Sequence, residues 1–208
     1  MIKAIITDFG SVLYKTKWKK IDKEIFKKHK IHILIEDKRY GELIKIYRES
    51  DLGKENFGKF FLKLKPSLKN IKELIESYKK LYSKHKILNE KLLEFLFSLK
   101  EKKIRLFGFS DIKKEHFEAN KKFGIYKGFE KIFSSFEFGV FKSNKKAFEI
   151  LKEKLKEYKL KPEECLFIDD NLENIKRAKE FRFKTILYNE FPKIRRIKKK
   201  ILEEINKT

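Results

Sequence analysis

Cysteine is almost absent from this sequence, and long hydrophobic runs are missing. The chain has 208 residues and one cysteine, Cys165, which excludes an internal disulfide and leaves no cysteine partner for a structural zinc site. No apolar stretch is long enough to span a bilayer, and the first ten residues have the pattern of a strand rather than of a signal peptide. We therefore expect a cytoplasmic protein that does not act at a membrane.

Glutamine is also absent, and acidic residues are outnumbered by basic ones. The chain has 54 Lys and Arg against 31 Asp and Glu, which gives a formal charge of +23 at pH 7. Such a charge is typical of nucleic-acid-binding proteins, but here the lysines are spread along the chain, mostly at polar positions of amphipathic patterns. The densest basic cluster, residues 193–200, precedes apolar residues at helical spacing. We interpret it as a terminal helix packed on the core, and we do not expect nucleic acid as a partner.

Short apolar runs alternate with amphipathic segments along most of the chain. The runs predict buried parallel strands at residues 2–7, 104–109, 165–168 and 184–188, with a shorter candidate at 132–133. Helical spacing predicts helices at about 89–100, 112–123, 144–158, 171–181 and 193–206. This alternation indicates an α/β fold with a helix-covered parallel sheet.

The segment between the first two strands is longer than an ordinary crossover. Residues 15–98 contain helical patterns and no convincing strand. We interpret residues 15–86 as an inserted helical cap domain. Residues 1–14 and 87–208 would then form the α/β core domain.

Asp8 ends the first apolar run and begins a turn of small residues that includes Gly10 and Ser11. In open α/β sheets, ligands bind beyond the carboxyl ends of the strands, and such a turn leaves backbone amides free for an anion. Asp8 is therefore the first candidate for a catalytic residue.

Three later segments add polar side chains next to predicted strands or helices. Ser110 follows the second strand, where its hydroxyl could donate to a ligand or cap the next helix. Lys142 precedes a helix and offers a cation that could offset phosphate charge, with Ser143 or Asn144 as the helix cap. Adjacent carboxylates are costly at a strand end unless a cation such as Mg²⁺ satisfies them, and this chain has such a pair in Asp169 and Asp170.

In this order, the four segments resemble the motifs of the haloacid dehalogenase (HAD) superfamily, particularly its phosphatase branch with a helical C1-type cap. The turn from Asp8 to Val12 is similar to motif one, Ser110 to motif two, Lys142 to motif three, and Asp169-Asp170 with Asn174 to motif four. Residues 48–57 also resemble a segment of the helical cap. The resemblance covers nearly the whole chain and implies a three-layer, Rossmann-like parallel sheet core with an inserted α-helical cap.

The resemblance also implies a chemistry: a Mg²⁺-dependent phosphatase acting on a small phosphorylated metabolite, such as a sugar phosphate or a nucleotide. Asp8 would attack phosphorus and form an aspartyl-phosphate, with Ser110 and Lys142 as the other catalytic residues. The phosphate-binding residues would be Asp8, Phe9, Gly10, Ser110, Asp111 and Lys142. The Mg²⁺ ligands would be Asp8, Gly10, Asp169 and Asp170.

Gly10 departs from the family pattern, which usually has an aspartate two residues after the nucleophile to protonate the leaving group. General acid catalysis contributes roughly 10²- to 10⁴-fold in rate, so its loss favours substrates with a good leaving group. Asp111 adds negative charge near the phosphate site, and Asn174 replaces a carboxylate that often supports the metal. None of these departures removes the nucleophile, the hydroxyl or the lysine.

Two other functions stay open at this stage. A haloacid dehalogenase-type hydrolase needs neither the missing acid nor a metal, although the pair Asp169 and Asp170 argues against it. A catalytically weak HAD-fold protein that binds phosphate or a polyanion would be consistent with Gly10 and with the net charge of +23. Residues 14–18, including Tyr14 and Trp18, enter the cap directly after motif one and could contact substrate or pack at the hinge.

Overall fold

A five-stranded parallel sheet forms the centre of the protein in a computed structural model that describes residues 1–34 and 41–207. Its strands are β1 (Ala4–Thr7), β4 (Arg105–Ser110), β5 (Lys131–Ser134), β6 (Cys165–Asp169) and β7 (Lys184–Leu187). Their order is β5-β4-β1-β6-β7, which makes β1 the central strand. Strand β1 is buried throughout because both faces of the sheet are covered.

Helices cover the two faces of the sheet and form a three-layer α/β core. Side chains alternate across a strand, so Ile5 packs into one hydrophobic cluster and Ile6 into the other. The first cluster includes α5 (Glu90–Ser98) and α10 (Arg195–Asn206), and the second includes α8 (Lys145–Lys156) and α9 (Leu172–Glu180). The predicted α/β, Rossmann-like fold class is confirmed.

The shorter core elements complete the alternation that the sequence predicts. Helix α6 (Lys114–Lys122) follows β4, and the single turn α7 (Ser135–Phe138) follows β5. All five predicted strands are in the sheet, with ends that differ by up to two residues from the predicted ones. Cys165 is a free, buried thiol in the second cluster, as its position beside an apolar run indicates.

Among the described residues, the first four helices after β1 share a third hydrophobic cluster, to which Ala119 of α6 also contributes. They are α1 (Trp18–His29), α2 (Gly41–Asp51), α3 (Gly58–Leu64) and α4 (Ile71–Lys84). Phe57, Phe60 and Phe61 are buried in this cluster, where Phe57 and Phe61 pack against Tyr78. We refer to these four helices as the cap helices.

A short antiparallel ribbon joins the cap helices to the core. It pairs β2 (Tyr14–Thr16) with β3 (Lys86–Leu88). The expectation of no strand within residues 15–98 was therefore wrong at both places. Each strand has three residues, too few for a visible alternation, and the pairing joins segments about 70 residues apart, which local periodicity does not report.

The basic terminal segment forms the expected helix. Ile197 and Ile201 of α10 are buried against the core, whereas Lys199 on the same helix is exposed. Within the described part of the chain, no helix combines the length and the apolar character needed to cross a membrane.

Candidate active site

Three neighbouring strands end at the same edge of the sheet and bring the sequence motifs together. Thr7 of β1 pairs with Gly108 of β4 and Ile168 of β6, so the residues that follow these strands lie side by side. They border a cavity of about 560 Å³. Of the predicted site residues, Asp8, Gly10, Ser110, Asp111, Lys142, Asp169 and Asp170 all line it.

Lys142 is the buried centre of the site. Its Nζ lies 2.6 Å from Asp8 Oδ1 and 2.7 Å from Asp169 Oδ2. Burial alone would lower the pKa of this ammonium, but the adjacent carboxylates Asp169 and Asp8 outweigh burial and raise it. Lys142 is therefore a fixed cation that bridges two carboxylates.

Asp169 is fully buried, and its oxygens are already occupied by protein donors. Its Oδ1 accepts from the amide of Asn171 at 2.8 Å and from Asn174 Nδ2 at 3.1 Å. Its Oδ2 accepts from Lys142 Nζ at 2.7 Å and from Asn174 Nδ2 at 3.2 Å. Asn174 stands where the family motif often has a carboxylate that supports the metal. Here its side-chain amide holds Asp169, and Asp169 in turn holds Lys142.

Asp8 is a nucleophile candidate whose charge is costly in the absence of a ligand. Burial raises its pKa to about 7, while the neighbouring Lys142 opposes the shift and Asp169 adds to it. Near neutral pH, this buried carboxylate is therefore expected to change its protonation state.

This shift predicts a pH-dependent stability in EDTA. An acid whose pKa is raised on folding stabilises the protein below its unfolded pKa, and that contribution is lost as pH rises through the folded value. For Asp8 the window extends from 3.8 to about 7. Between pH 5 and pH 7, the unfolding free energy of Asp8→Asn should increase relative to that of the parent by about 2 kcal/mol. Urea unfolding at both pH values checks this, and a constant difference between the two proteins would contradict it.

The residues around Gly10 form a donor set that suits Mg²⁺. The Gly10 carbonyl accepts one hydrogen bond, from the amide of Val12 at 2.7 Å, and can take a second partner. Asp170 is half-buried, and its pKa is raised by burial and by the adjacent Asp169. No group of three or more His, Cys, Asp or Glu side chains converges as a metal site among the described residues. Mg²⁺ needs no such group, because one or two carboxylates with water and phosphate oxygens suffice.

The structure also gives the surroundings of three further predicted residues. The Phe9 side chain is fully buried and packs against Tyr126, with the two ring centroids 5.0 Å apart. Only the backbone of Phe9 is therefore available to a phosphate. The Asp111 carboxylate accepts from the backbone amide of Lys142 at 3.0 Å, and it thereby positions motif three. Ser110 does not cap α6, whose first residue is Lys114, and its side chain borders the cavity.

The cap helices and their neighbours add residues that the sequence did not single out. Tyr47, Asp51, Tyr82, Ile112 and His116 line the cavity, together with Trp18 and Tyr14 from the hinge. Asp51 also forms an ion pair of 2.6 Å with Lys113, which is completely buried directly after motif two. Asp51 lies within residues 48–57, which resemble a segment of the cap, but no local signal marks the other residues, because their position depends on how the cap helices pack.

Comparison with known proteins agrees with this architecture. A family model described as haloacid dehalogenase-like hydrolase matches residues 2–182. The HAD family enzyme bt-2542 from Bacteroides thetaiotaomicron, crystallised as a variant with magnesium and inorganic phosphate, is 20% identical with a TM-score of 0.74, over 95% of this chain and 99% of that one. A predicted HAD-like hydrolase from Porphyromonas gingivalis is 20% identical with a TM-score of 0.72, over 97% and 98% of the two chains.

A curated relative shares part of its length with this chain. The drimenol cyclase drtB of Aspergillus calidoustus is 26% identical over 212 residues, a match that covers 94% of this chain and 36% of the cyclase. Since the family model covers most of the sequence and the fold and the order of motifs agree with it, this chain belongs to the haloacid dehalogenase-like hydrolases.

Proposed function

We propose that this protein is a Mg²⁺-dependent phosphatase that hydrolyses a small phosphorylated metabolite through an aspartyl-phosphate on Asp8. The observation that carries the proposal is the bridging of Asp8 and Asp169 by the buried ammonium of Lys142, in a cavity that also presents Ser110. The magnesium and phosphate bound by bt-2542 support the same chemistry.

In the first step, an oxygen of Asp8 forms a bond to phosphorus, and the bond from phosphorus to the leaving oxygen breaks. Lys142 orients the Asp8 carboxylate through Oδ1 and offsets negative charge on the phosphoryl oxygens. Ser110 donates a hydrogen bond to one of these oxygens. A water molecule then attacks phosphorus, which releases phosphate and restores the Asp8 carboxylate.

The residues that would hold Mg²⁺ are Asp8, Asp170 and the carbonyl of Gly10, with Asp169 as an indirect support because protein donors occupy its oxygens. When bound, the ion would neutralise charge on the phosphoryl group. Its presence would also favour the ionised form of Asp8, whose pKa burial otherwise raises to about 7.

A phosphate-release assay tests the proposal directly. We expect turnover of phosphomonoesters with Mg²⁺ and loss of turnover in EDTA, restored by added Mg²⁺. Halide release from a 2-haloacid that persists in EDTA would favour the dehalogenase alternative instead. Salt-sensitive polyanion binding with no turnover of any phosphate ester would favour the binding-protein alternative.

Gly10 offers a prediction about the leaving group. A Cβ built on Gly10 would meet Asp8 Oδ2 at 3.7 Å, an ordinary contact, so Gly10→Asp has room for its side chain. We expect this variant to raise kcat for poor leaving groups such as alkoxides by about 10²-fold, because the new acid protonates the departing oxygen. Esters with a good leaving group should gain little.

The measurement is kcat against leaving-group pKa for the parent, Gly10→Asp and the matched control Gly10→Asn, which adds similar bulk without an acid. The parent should show a steep dependence and Gly10→Asp a shallow one. A flat dependence in the parent would contradict the idea that the missing acid limits the rate.

A further inference from the structure

We infer that the substrate is an aryl phosphate, in which an aromatic ring carries the phosphorylated oxygen and packs against Trp18 and Tyr47 of the cap helices. This inference rests on the proposed phosphatase function and narrows its substrate class. Sugar phosphates and nucleotides, the metabolites that the family resemblance suggests, become the competing outcomes.

The first observation is an aromatic wall in the cavity that Asp8 also lines. Trp18 of α1 and Tyr47 of α2 are half-buried rings that line the active-site cavity. The same two rings line a second cavity of about 280 Å³, whose other lining residues are Ile33, Leu34, Ile44, Phe60 and Tyr78. Apolar and aromatic surface therefore continues from the phosphate site into the cap.

The second observation is that several polar side chains in and behind the cavity wall are already paired with each other. The hydroxyls of Tyr14 and Tyr82 lie 3.1 Å apart, and Asn120 Nδ2 donates to Tyr14 at 3.1 Å. His116 Nε2 is 2.7 Å from the Tyr78 hydroxyl.

One oxygen of Asp51 is likewise occupied, since Oδ1 accepts from Lys113 Nζ at 2.6 Å. A sugar would exchange its hydrogen bonds to water for contact with rings and with polar groups several of which are already engaged, which is unfavourable. A ring loses little on leaving water and gains contact with other rings.

The third observation is Gly10, which is independent of the cap. A phenolic oxygen can leave as a phenolate, because its pKa is about 10 and it needs far less protonation than an alkoxide. An aryl ester is therefore the class that suits both the aromatic wall and the missing acid. In the reaction, the bond from phosphorus to the phenolic oxygen breaks and the phenolate later takes a proton from solvent.

Trp18 provides the test, because it is the only tryptophan in the sequence. Phenyl phosphate and glycerol phosphate are titrated with Mg²⁺ into Asp8→Asn, which binds without turnover, and the emission of Trp18 is followed. We expect phenyl phosphate to bind at least about tenfold more tightly than glycerol phosphate and to change the emission of Trp18. Contacts between aromatic rings contribute to affinity on about this scale. Equal affinities would overturn the inference.

Steady-state kinetics then separate ring binding from leaving-group chemistry. Phenyl phosphate and benzyl phosphate both carry a ring, but only the first has a phenolic leaving oxygen. In Trp18→Ala, KM for both should rise about tenfold, and Trp18→Phe should recover most of that loss. Phe26→Ala is the matched control, because Phe26 lies on the same helix, is 40% exposed and does not line the cavity.

The outcomes distinguish this inference from the proposed function. If glycerol phosphate, glucose phosphate or a nucleotide has a higher kcat/KM than phenyl phosphate, or if Trp18→Ala raises KM no more than Phe26→Ala, the aryl class is wrong while the phosphatase stands. If no ester is hydrolysed but phenyl phosphate still binds at Trp18, the phosphatase proposal fails and the ring site remains.

Discussion

Replacing Asp8 with asparagine is expected to reduce phosphatase kcat by at least about 10⁴-fold, the scale on which nucleophile removal acts in enzymes with a covalent intermediate. The amide has nearly the same shape, so the cavity is kept while the attacking oxygen loses its charge and nucleophilicity. Because burial raises the pKa of Asp8, the substitution also removes a buried charge and should not reduce stability.

Two measurements check this prediction for Asp8. Phosphate release with saturating Mg²⁺ gives the rate, and mass spectrometry after acid quenching shows whether one phosphoryl group is attached to the peptide that contains Asp8. The parent should carry the label and Asp8→Asn should not. A variant that keeps a rate within tenfold of the parent would exclude Asp8 as the nucleophile.

Replacing Lys142 with methionine is expected to have the second-largest effect, because it removes the cation between Asp8 and Asp169. In the parent, Lys142 Nζ lies 2.6 Å from Asp8 Oδ1 and 2.7 Å from Asp169 Oδ2, so its removal leaves two buried carboxylates close to each other without a cation between them. We expect kcat to fall by roughly 10²- to 10³-fold, the usual cost of removing one electrostatic contact to the transition state. Unfolding free energy in EDTA should fall by about 3–5 kcal/mol, because a buried charge has lost its partner.

The control for this substitution is Lys146→Met, since Lys146 is an exposed lysine four residues further along the chain. It should unfold at the same urea concentration as the parent and keep its activity. The double variant Lys142→Met with Asp8→Asn should recover part of the lost stability, because one of the two facing charges is gone. If Lys142→Met is as stable as the parent, the two ion pairs do not explain why Lys142 is buried.

Local patterns in the sequence predict most of the core. Short apolar runs such as residues 104–109 can form buried strands with little ambiguity, since a parallel sheet covered on both faces needs apolar side chains on both. Helix α10 is equally predictable from the sequence, because Ile197 and Ile201 occur at helical spacing among charged residues. By contrast, the ribbon of β2 and β3 cannot be predicted from local sequence patterns, because each strand is stabilised by a partner strand that is distant in the sequence.

The same division applies to the active site. Asp8, Ser110 and Lys142 are identifiable because each follows or precedes a recognisable element, and the ends of parallel strands must meet at one edge. The sequence does not reveal that Asp169 is occupied by Asn171, Asn174 and Lys142, or that Asp111 binds the backbone of Lys142. These contacts depend on distances of a few ångströms between segments separated by up to 31 residues.

The sequence by itself therefore determined the α/β class, the helices and strands of the core and the residues that can carry chemistry, because these depend on side-chain periodicity and on residue type. Only the tertiary structure decided which cap residues line the cavity together with Asp8. Trp18 and Tyr47 lie on two different cap helices, and they line one cavity because of how the cap packs rather than because of any local pattern. Spacing along the chain specifies the elements, and burial of their apolar faces against each other specifies which side chains meet.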